Sequence, residues 1–229
     1  VQEMMSLFGR LAYNYKHKYL AEFSLRSDGS SVFGSDVRWG TFPAVGLGWT
    51  FSDEPFMKNL WWLSFGKFRA SWGRSGQKFN EAYLALGTMS TSNTFLGNSG
   101  LIPGLLANNQ LTWEKNDQYD LGLDLQLFNY RLQVKLDYYY KYSHALLMQT
   151  STPGNFFLAD KMWNNSSAIS NEGIEFEISA DIIKRKNWQW TLGFNISHDR
   201  NLFRKSYGGE DLSDKVLGRP VYGIYTYHD

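Results

Sequence analysis

The stretch Tyr119-Asp120-Leu121-Gly122-Leu123-Asp124-Leu125-Gln126-Leu127 alternates apolar and polar residues without a break. Successive side chains of an extended chain point to opposite sides, so this reads as a β-strand with one greasy and one wet face. Phe128-Asn129-Tyr130 then turns the chain. Leu132, Val134, Leu136, Tyr138, Tyr140 and Tyr142 resume the alternation against Arg131, Gln133, Lys135, Asp137 and Lys141. Together the two runs predict an antiparallel hairpin with all its leucines on one side.

Six further runs repeat the pattern. Before the hairpin come Leu7 to Tyr15, Tyr19 to Leu25, Val45 to Phe51 and Phe68 to Trp72. After it come Ile174 to Ile182 and Trp188 to His198. The eight apolar faces hold 38 residues, none of them Asp, Glu, Lys or Arg. Random placement at the chain's 20% charge would put about seven or eight there. Alternation alone does not separate a soluble core from a lipid-facing wall. Length and connections do. The better runs span about 9–12 residues, where soluble strands favour about 5–6 and a tilted membrane strand needs about 9–11.

Short turns around Lys16-His17-Lys18, Phe128-Asn129-Tyr130 and Ile183 to Asn187 alternate with long connections: 27–44, 74–112 and 143–172. Short turns on one rim and long loops on the other predict a transmembrane barrel wall. Ser52 to Leu60, on the short-turn side, predicts a short helix, with a serine N-cap, early acids and Pro55. Tyr119, Tyr138 and Tyr140 stand at the long-loop end of the apolar face; Tyr13, Tyr15, Tyr19, Trp49, Trp188 and Trp190 stand at the other. Tyr and Trp favour the headgroup zone, so these are two expected interfacial belts.

Composition agrees once half of each strand is given to water. Mean hydropathy is only −0.41, and 39 of 229 residues are Phe, Trp or Tyr. No stretch of about 18 apolar residues exists for a helical span. A net charge of +1 gives no reason to expect nucleic acid, and zero cysteines exclude disulfides and thiol chemistry. His17, His144, His198 and His228 are isolated; Asp28-Gly29 lacks the acidic ladder of a calcium loop, and Arg26 to Ser31 lacks phosphate-loop spacing. No catalytic residue, metal or cofactor is expected. The polar faces put Arg10, Glu22, Arg26, Lys67, Arg69, Asp120, Asp124, Lys135, Asp137, Glu175 and Glu177 on a lumen wall. In the long loops, Trp113, Phe156, Phe157, Trp163, Asn164 and Asn165 are candidates for stacking on sugar rings and bonding hydroxyls.

Several motifs carry a family resemblance. Phe8-Gly9-Arg10-Leu11, Arg26-Ser27-Asp28-Gly29-Ser30-Ser31-Val32-Phe33-Gly34 and Arg38-Trp39-Gly40-Thr41-Phe42-Pro43-Ala44 open the series. Glu54-Pro55-Phe56-Met57, Arg69-Ala70-Ser71-Trp72-Gly73, Leu111-Thr112-Trp113-Glu114, Leu121-Gly122-Leu123-Asp124, Tyr138-Tyr139-Tyr140 and Asn171-Glu172-Gly173-Ile174 follow in order. The chain resembles the SusC/RagA group of TonB-dependent outer-membrane transporters, with Arg74-Ser75-Gly76-Gln77 replacing a Thr-Gly-Asn-like turn. The resemblance implies a plugged barrel of about 22 strands, of which eight are a third. Residues 1–229 would then be an internal barrel piece without signal peptide, plug or closing strands. It further implies import of oligosaccharides or oligopeptides, energy from a TonB–ExbB–ExbD complex, and a SusD-like lipoprotein lid. The setting would be the outer membrane of a Gram-negative, Bacteroidetes-type bacterium, with outer-membrane lipid around the wall. Two rival readings are a non-transporting structural or adhesive barrel and a soluble carbohydrate-binding β-sheet protein.

Overall fold

A computed structural model describes residues 2–79, 85–95, 98–152, 161–212 and 215–222. Ten strands follow in chain order: β1 (Met4–Tyr15), β2 (Tyr19–Ser30), β3 (Trp39–Trp49), β4 (Leu63–Gln77), β5 (Thr88–Phe95), β6 (Asn98–Leu105), β7 (Glu114–Leu127), β8 (Leu132–Ser151), β9 (Lys161–Arg185) and β10 (Trp188–Lys205). Eight form one antiparallel sheet in the order β1-β2-β3-β4-β7-β8-β9-β10, and β5-β6 is a separate hairpin. These eight are the eight alternating runs. The β5-β6 hairpin lies inside what the sequence marks as one long loop, where no alternation announces it.

The apolar rows stay exposed. Leu11 is 73% exposed, Leu192 58% and Ile196 58%. The chain presents 16154 Å² to its surroundings, against about 10,700 Å² for a compact globule of this mass. The leucine rows are therefore not the dry interior of a soluble sheet protein.

Register shows what the band is. One lateral row runs Leu11, Phe23, Val45, Trp72, Tyr119, Tyr140, Glu172, Arg200 across all eight strands. It begins in hydrocarbon-like residues and ends in an ion pair. A second row, four residues lower on β1, runs Tyr15, Tyr19, Trp49, Phe68, Leu123, Leu136, Phe176, Ile196. It begins in the short-turn belt and ends in mid-band. The apolar band thus crosses the sheet obliquely, sliding about six to eight residues over seven strand spacings, a slope of roughly 30–40° at ordinary strand dimensions. Strands of membrane barrels tilt about 35–45°, so a band that is level in a bilayer should look oblique in this way. On β8 the band from Leu132 to Tyr142 is about 25 Å tall once that tilt is applied, the height of an outer-membrane hydrophobic zone.

The short turns are tight. Lys18 N–H donates to the Tyr15 carbonyl at 3.0 Å, with Lys16 and His17 at φ 53° and 57°. This left-handed pair matches strand twist in the way hairpins prefer. Phe128, Asn129 and Tyr130 also take positive φ. Only Lys186 and Asn187 separate β9 from β10.

Three expectations are corrected. Ser52 to Leu60 is not a helix: a single 3-10 turn at Phe51–Asp53 is followed by turns closed by Glu54 N to Phe51 O, Met57 N to Glu54 O and Leu60 N to Met57 O. Glu54 does not stay at a helix N-terminus because its carboxylate is used elsewhere. It accepts from the Tyr19 hydroxyl at 2.6 Å, from Trp49 Nε1 at 3.4 Å and from Lys18 Nζ at 3.4 Å. Next, 143–172 is mostly strand, because β8 and β9 continue to Ser151 and from Lys161. Above the band neither face needs to be apolar, so the alternation fades while the ladder goes on. Last, Arg74-Ser75-Gly76-Gln77 is no turn; it pairs with Glu114 to Asp117 as the end of β4.

The Glu54 clamp is testable. The Tyr19 hydroxyl above all, then the indole and ammonium groups, hold its carboxyl below the ordinary 4.5, against an opposing effect of burial. A depressed folded-state pKa contributes stability that is complete above the ordinary carboxylate value and lost as pH falls below it. Hydrogen exchange in 51–62 of the full-length protein should therefore quicken below about pH 4.5. Glu54→Gln should be fast at neutral pH and flat across that window.

Candidate functional site

On the water-facing side of the sheet, charge is paired across strands. Arg10 Nη2 donates to Glu22 at 2.6 Å from β1 to β2, while Arg26 Nε pairs within β2 with Asp28 at 2.8 Å. Lys135 Nζ reaches Glu177 at 3.2 Å, and Asp120 accepts from Ser71 and Gln118 at 3.0 and 2.9 Å. Lys67 stands opposite Asp124, and Glu175 stands opposite Asp137. All eleven residues assigned to a polar wall lie on the same side, away from the leucine rows. Each half-exposed pair is worth only about 0.2–1 kcal/mol. Their chief effect is to give the wall a neutralised, ordered hydrogen-bonding surface.

Two ties cross a whole strand, and the sequence hides them. Arg69 Nε donates to Asp124 at 2.7 Å, and its Nη2 goes on to Asp137 at 2.8 Å on β8. The guanidinium lies over Gly122, where a Cβ would come within 2.6 Å of both Arg69 and Asp137. The Tyr139 hydroxyl likewise donates to Asp199 at 2.5 Å by passing over Gly173, where a Cβ would meet Asp199 at 2.5 Å. The signal was present as Leu121-Gly122-Leu123 and Glu172-Gly173-Ile174, glycines inside otherwise full strands. The partners were not, because register is not written in one strand.

Between β2 and β4 the polar side of β3 carries only Ala44, Gly46 and Gly48. The result is an open depression of about 810 Å³ bordered by Glu22, Lys67, Arg69, Ser71 and Asp120. Hydrogen-bond donors and acceptors lie on its flanks. Among the described residues no three His, Asp or Glu side chains converge as metal ligands.

At the long-loop end a small core forms from Val32, Phe33, Phe42, Phe79, Ala85, Leu111 and Trp113. Here a candidate contact residue is corrected. Trp113 is 2% exposed, with ring centroids 4.7 Å from Phe33 and 5.6 Å from Phe42, and its Nε1 donates to Arg38 O at 3.1 Å. It has no open face for a sugar. Asn165 is consumed too: it accepts from Thr112 N at 2.8 Å and donates to Thr112 O and Ala145 O at 3.0 and 2.7 Å. Trp163 packs on the cluster from the side, and Asn164 stands opposite Met148. Phe156 and Phe157 lie outside the described residues.

Comparison with known proteins meets this geometry. The family model described as TonB dependent receptor-like, beta-barrel matches residues 2–223. TonB-dependent receptor P39 of Formosa agariphila is 36% identical over 198 residues, covering 86% of this chain and 19% of its own length. TonB-dependent receptor SusC of Bacteroides thetaiotaomicron is 35% identical over 218 residues, covering 91% of this chain and 21% of its own length. Among solved structures, the RagAB peptide importer in its open-open state superposes with a TM-score of 0.84 at 25% identity, covering 96% of this chain and 25% of that one. The chain thus spans about a fifth of the length of the curated relatives it matches. Its eight-stranded wall, oblique apolar band and matched residues make it a member of the TonB-dependent receptor-like β-barrel family.

Proposed function

We propose that the chain supplies wall and loops to an outer-membrane importer of oligosaccharides or oligopeptides. The observation that carries this is the two-sided sheet: an oblique hydrocarbon band outside and a paired-charge surface with an 810 Å³ depression inside. A wall of that kind separates lipid from a solute path. The name of one solved neighbour, a peptide importer, supports the transport reading and the oligopeptide class, and a relative named TonB-dependent receptor SusC supports the receptor family. Energy then comes from a TonB–ExbB–ExbD complex, and a SusD-like lipoprotein closes the loop side. Among the described residues, Trp163 and Asn164, on the upper part of β9, are the candidates left to meet solute. The host is a Bacteroidetes-type bacterium with this wall in its outer membrane.

Deletion of the full-length gene tests the reading. Uptake of a fluorescent oligosaccharide or oligopeptide panel by intact cells should fall for at least one member, and a protonophore should produce the same loss in the parent. Uptake of every panel member unchanged by deletion would leave a passive structural barrel as the better account.

A further inference from the structure

The outward face does not end at the aromatic belt. Trp72, Tyr119 and Tyr140 sit side by side across β4, β7 and β8, with ring centroids 6.4 and 6.3 Å apart. The next outward positions on β4 and β7 are Arg74 and Asp117, which pair directly. Arg74 donates through Nε and Nη2 to the two Asp117 oxygens at 2.7 and 3.0 Å. Asp117 also meets His144 Nε2 at 3.1 Å, and the His144 ring stacks on Tyr142 at 5.5 Å. Lys115 follows, opposite His144 in the register.

We infer that Arg74, Lys115 and His144 form a binding site for the phosphate group of an outer-leaflet lipid. Three observations converge on one occupant. Position comes first: the patch begins one alternate residue above the Trp72–Tyr119–Tyr140 belt, on the side that carries the apolar band, which is headgroup depth. Second, the donors are organised and not spent. Asp117 fixes two guanidinium nitrogens, and among the described residues Arg74 Nη1 makes no hydrogen bond and Lys115 has no partner. Arg74 keeps 34% of its side chain exposed and His144 29%, while Asp117 is withdrawn at 13%. Third, the surrounding rim has the matching sign. On β9 and β10 the first outward charges past the band are Glu172 and Arg200, which pair at 3.6 Å, so the rim placed by register carries three cations and two acids. Asp117 lowers the total charge of the patch, but it sits behind the guanidinium and orients the free edge outward. A fork of this kind suits phosphate oxygens better than a single ammonium does.

The inference rests on the membrane reading above, and the test separates the two. Full-length protein is reconstituted into phosphatidylcholine nanodiscs containing monophosphorylated lipid A or the same lipid with its phosphate removed, and retained lipid is counted by native mass spectrometry. The parent should retain the phosphorylated form preferentially, and the double variant Arg74→Gln, Lys115→Gln should retain about tenfold less. Lys135→Gln, on the opposite face, should match the parent. Should the double variant fail to insert, Lys115→Gln alone, which removes an unpaired ammonium, should still show about a threefold loss. Equal retention by parent and variants, equal retention of both lipids, or displacement of the lipid by millimolar inorganic phosphate each overturns the site. A parent that fails to enter nanodiscs overturns the membrane reading as well.

Discussion

Leu136→Arg is expected to cost the full-length protein about 2–4 kcal/mol of folded-state stability, the cost of a guanidinium on a barrel's lipid face near mid-depth. Leu136 stands in the row Phe68, Leu123, Leu136, Phe176, and no acid of that outward row is near enough to pair with the new charge. The matched control is Gln133→Arg on the same strand. Its neighbours in register are Gln126 and Ser179, on the wet face, and its cost should stay within about 0.5 kcal/mol. Heat-modifiable migration of the purified protein, followed through a urea titration in micelles, reads both. Equal effects at the two positions would mean that the leucine rows do not face hydrocarbon, and the wall model would fall with them.

Trp113→Ala should act elsewhere. Removing a fully buried indole leaves a cavity and costs about 3–5 kcal/mol in a well-packed core. It also removes the Nε1 bond to the Arg38 carbonyl, which keeps only the Ser30 N–H at 3.3 Å. This core is small and joins residues from the connection before β3, Phe42 of β3, Phe79 just past β4 and the segment before β7, so the loss should be local. Protease added to intact cells should cut within 30–38 and 78–113 much faster than in the parent, while heat-modifiable migration of the barrel is unchanged. A variant whose loops resist protease as the parent does would show that Phe33 and Phe42 hold these connections without the indole.

The wall was legible because period-2 alternation survives wherever one face meets hydrocarbon and the other water. Tyr119 to Leu127 has both conditions along its whole length, and its register follows from the turn at Asn129. Where a condition lapses the pattern lapses too. Leu146 to Ser151 still pairs with Lys161 to Ser167, but above the band nothing demands a greasy face, so a ladder reads as a loop. Ser52 to Leu60 failed for a different reason: its helix signals are local, while the partners that claim Glu54 are Tyr19, 35 positions away, and Trp49 on the strand before it. Trp113 and Asn165 were chemically apt for sugars, but residue type does not say whether a side chain faces out. Their contacts come from four separate segments, and only the fold brings those together.

The two side chains that reach across glycine have a mechanical corollary. Each spans a pair of seams at once, Arg69 from β4 to β8 and Tyr139 from β8 to β10. Sliding any one of those seams by a pleat would carry donor and acceptor apart by nearly 7 Å, so neighbouring strands cannot creep singly. A pull along the axis would be met by a five-strand plate that yields as one piece or not at all, stiffest on the side where a load inside the pore would bear.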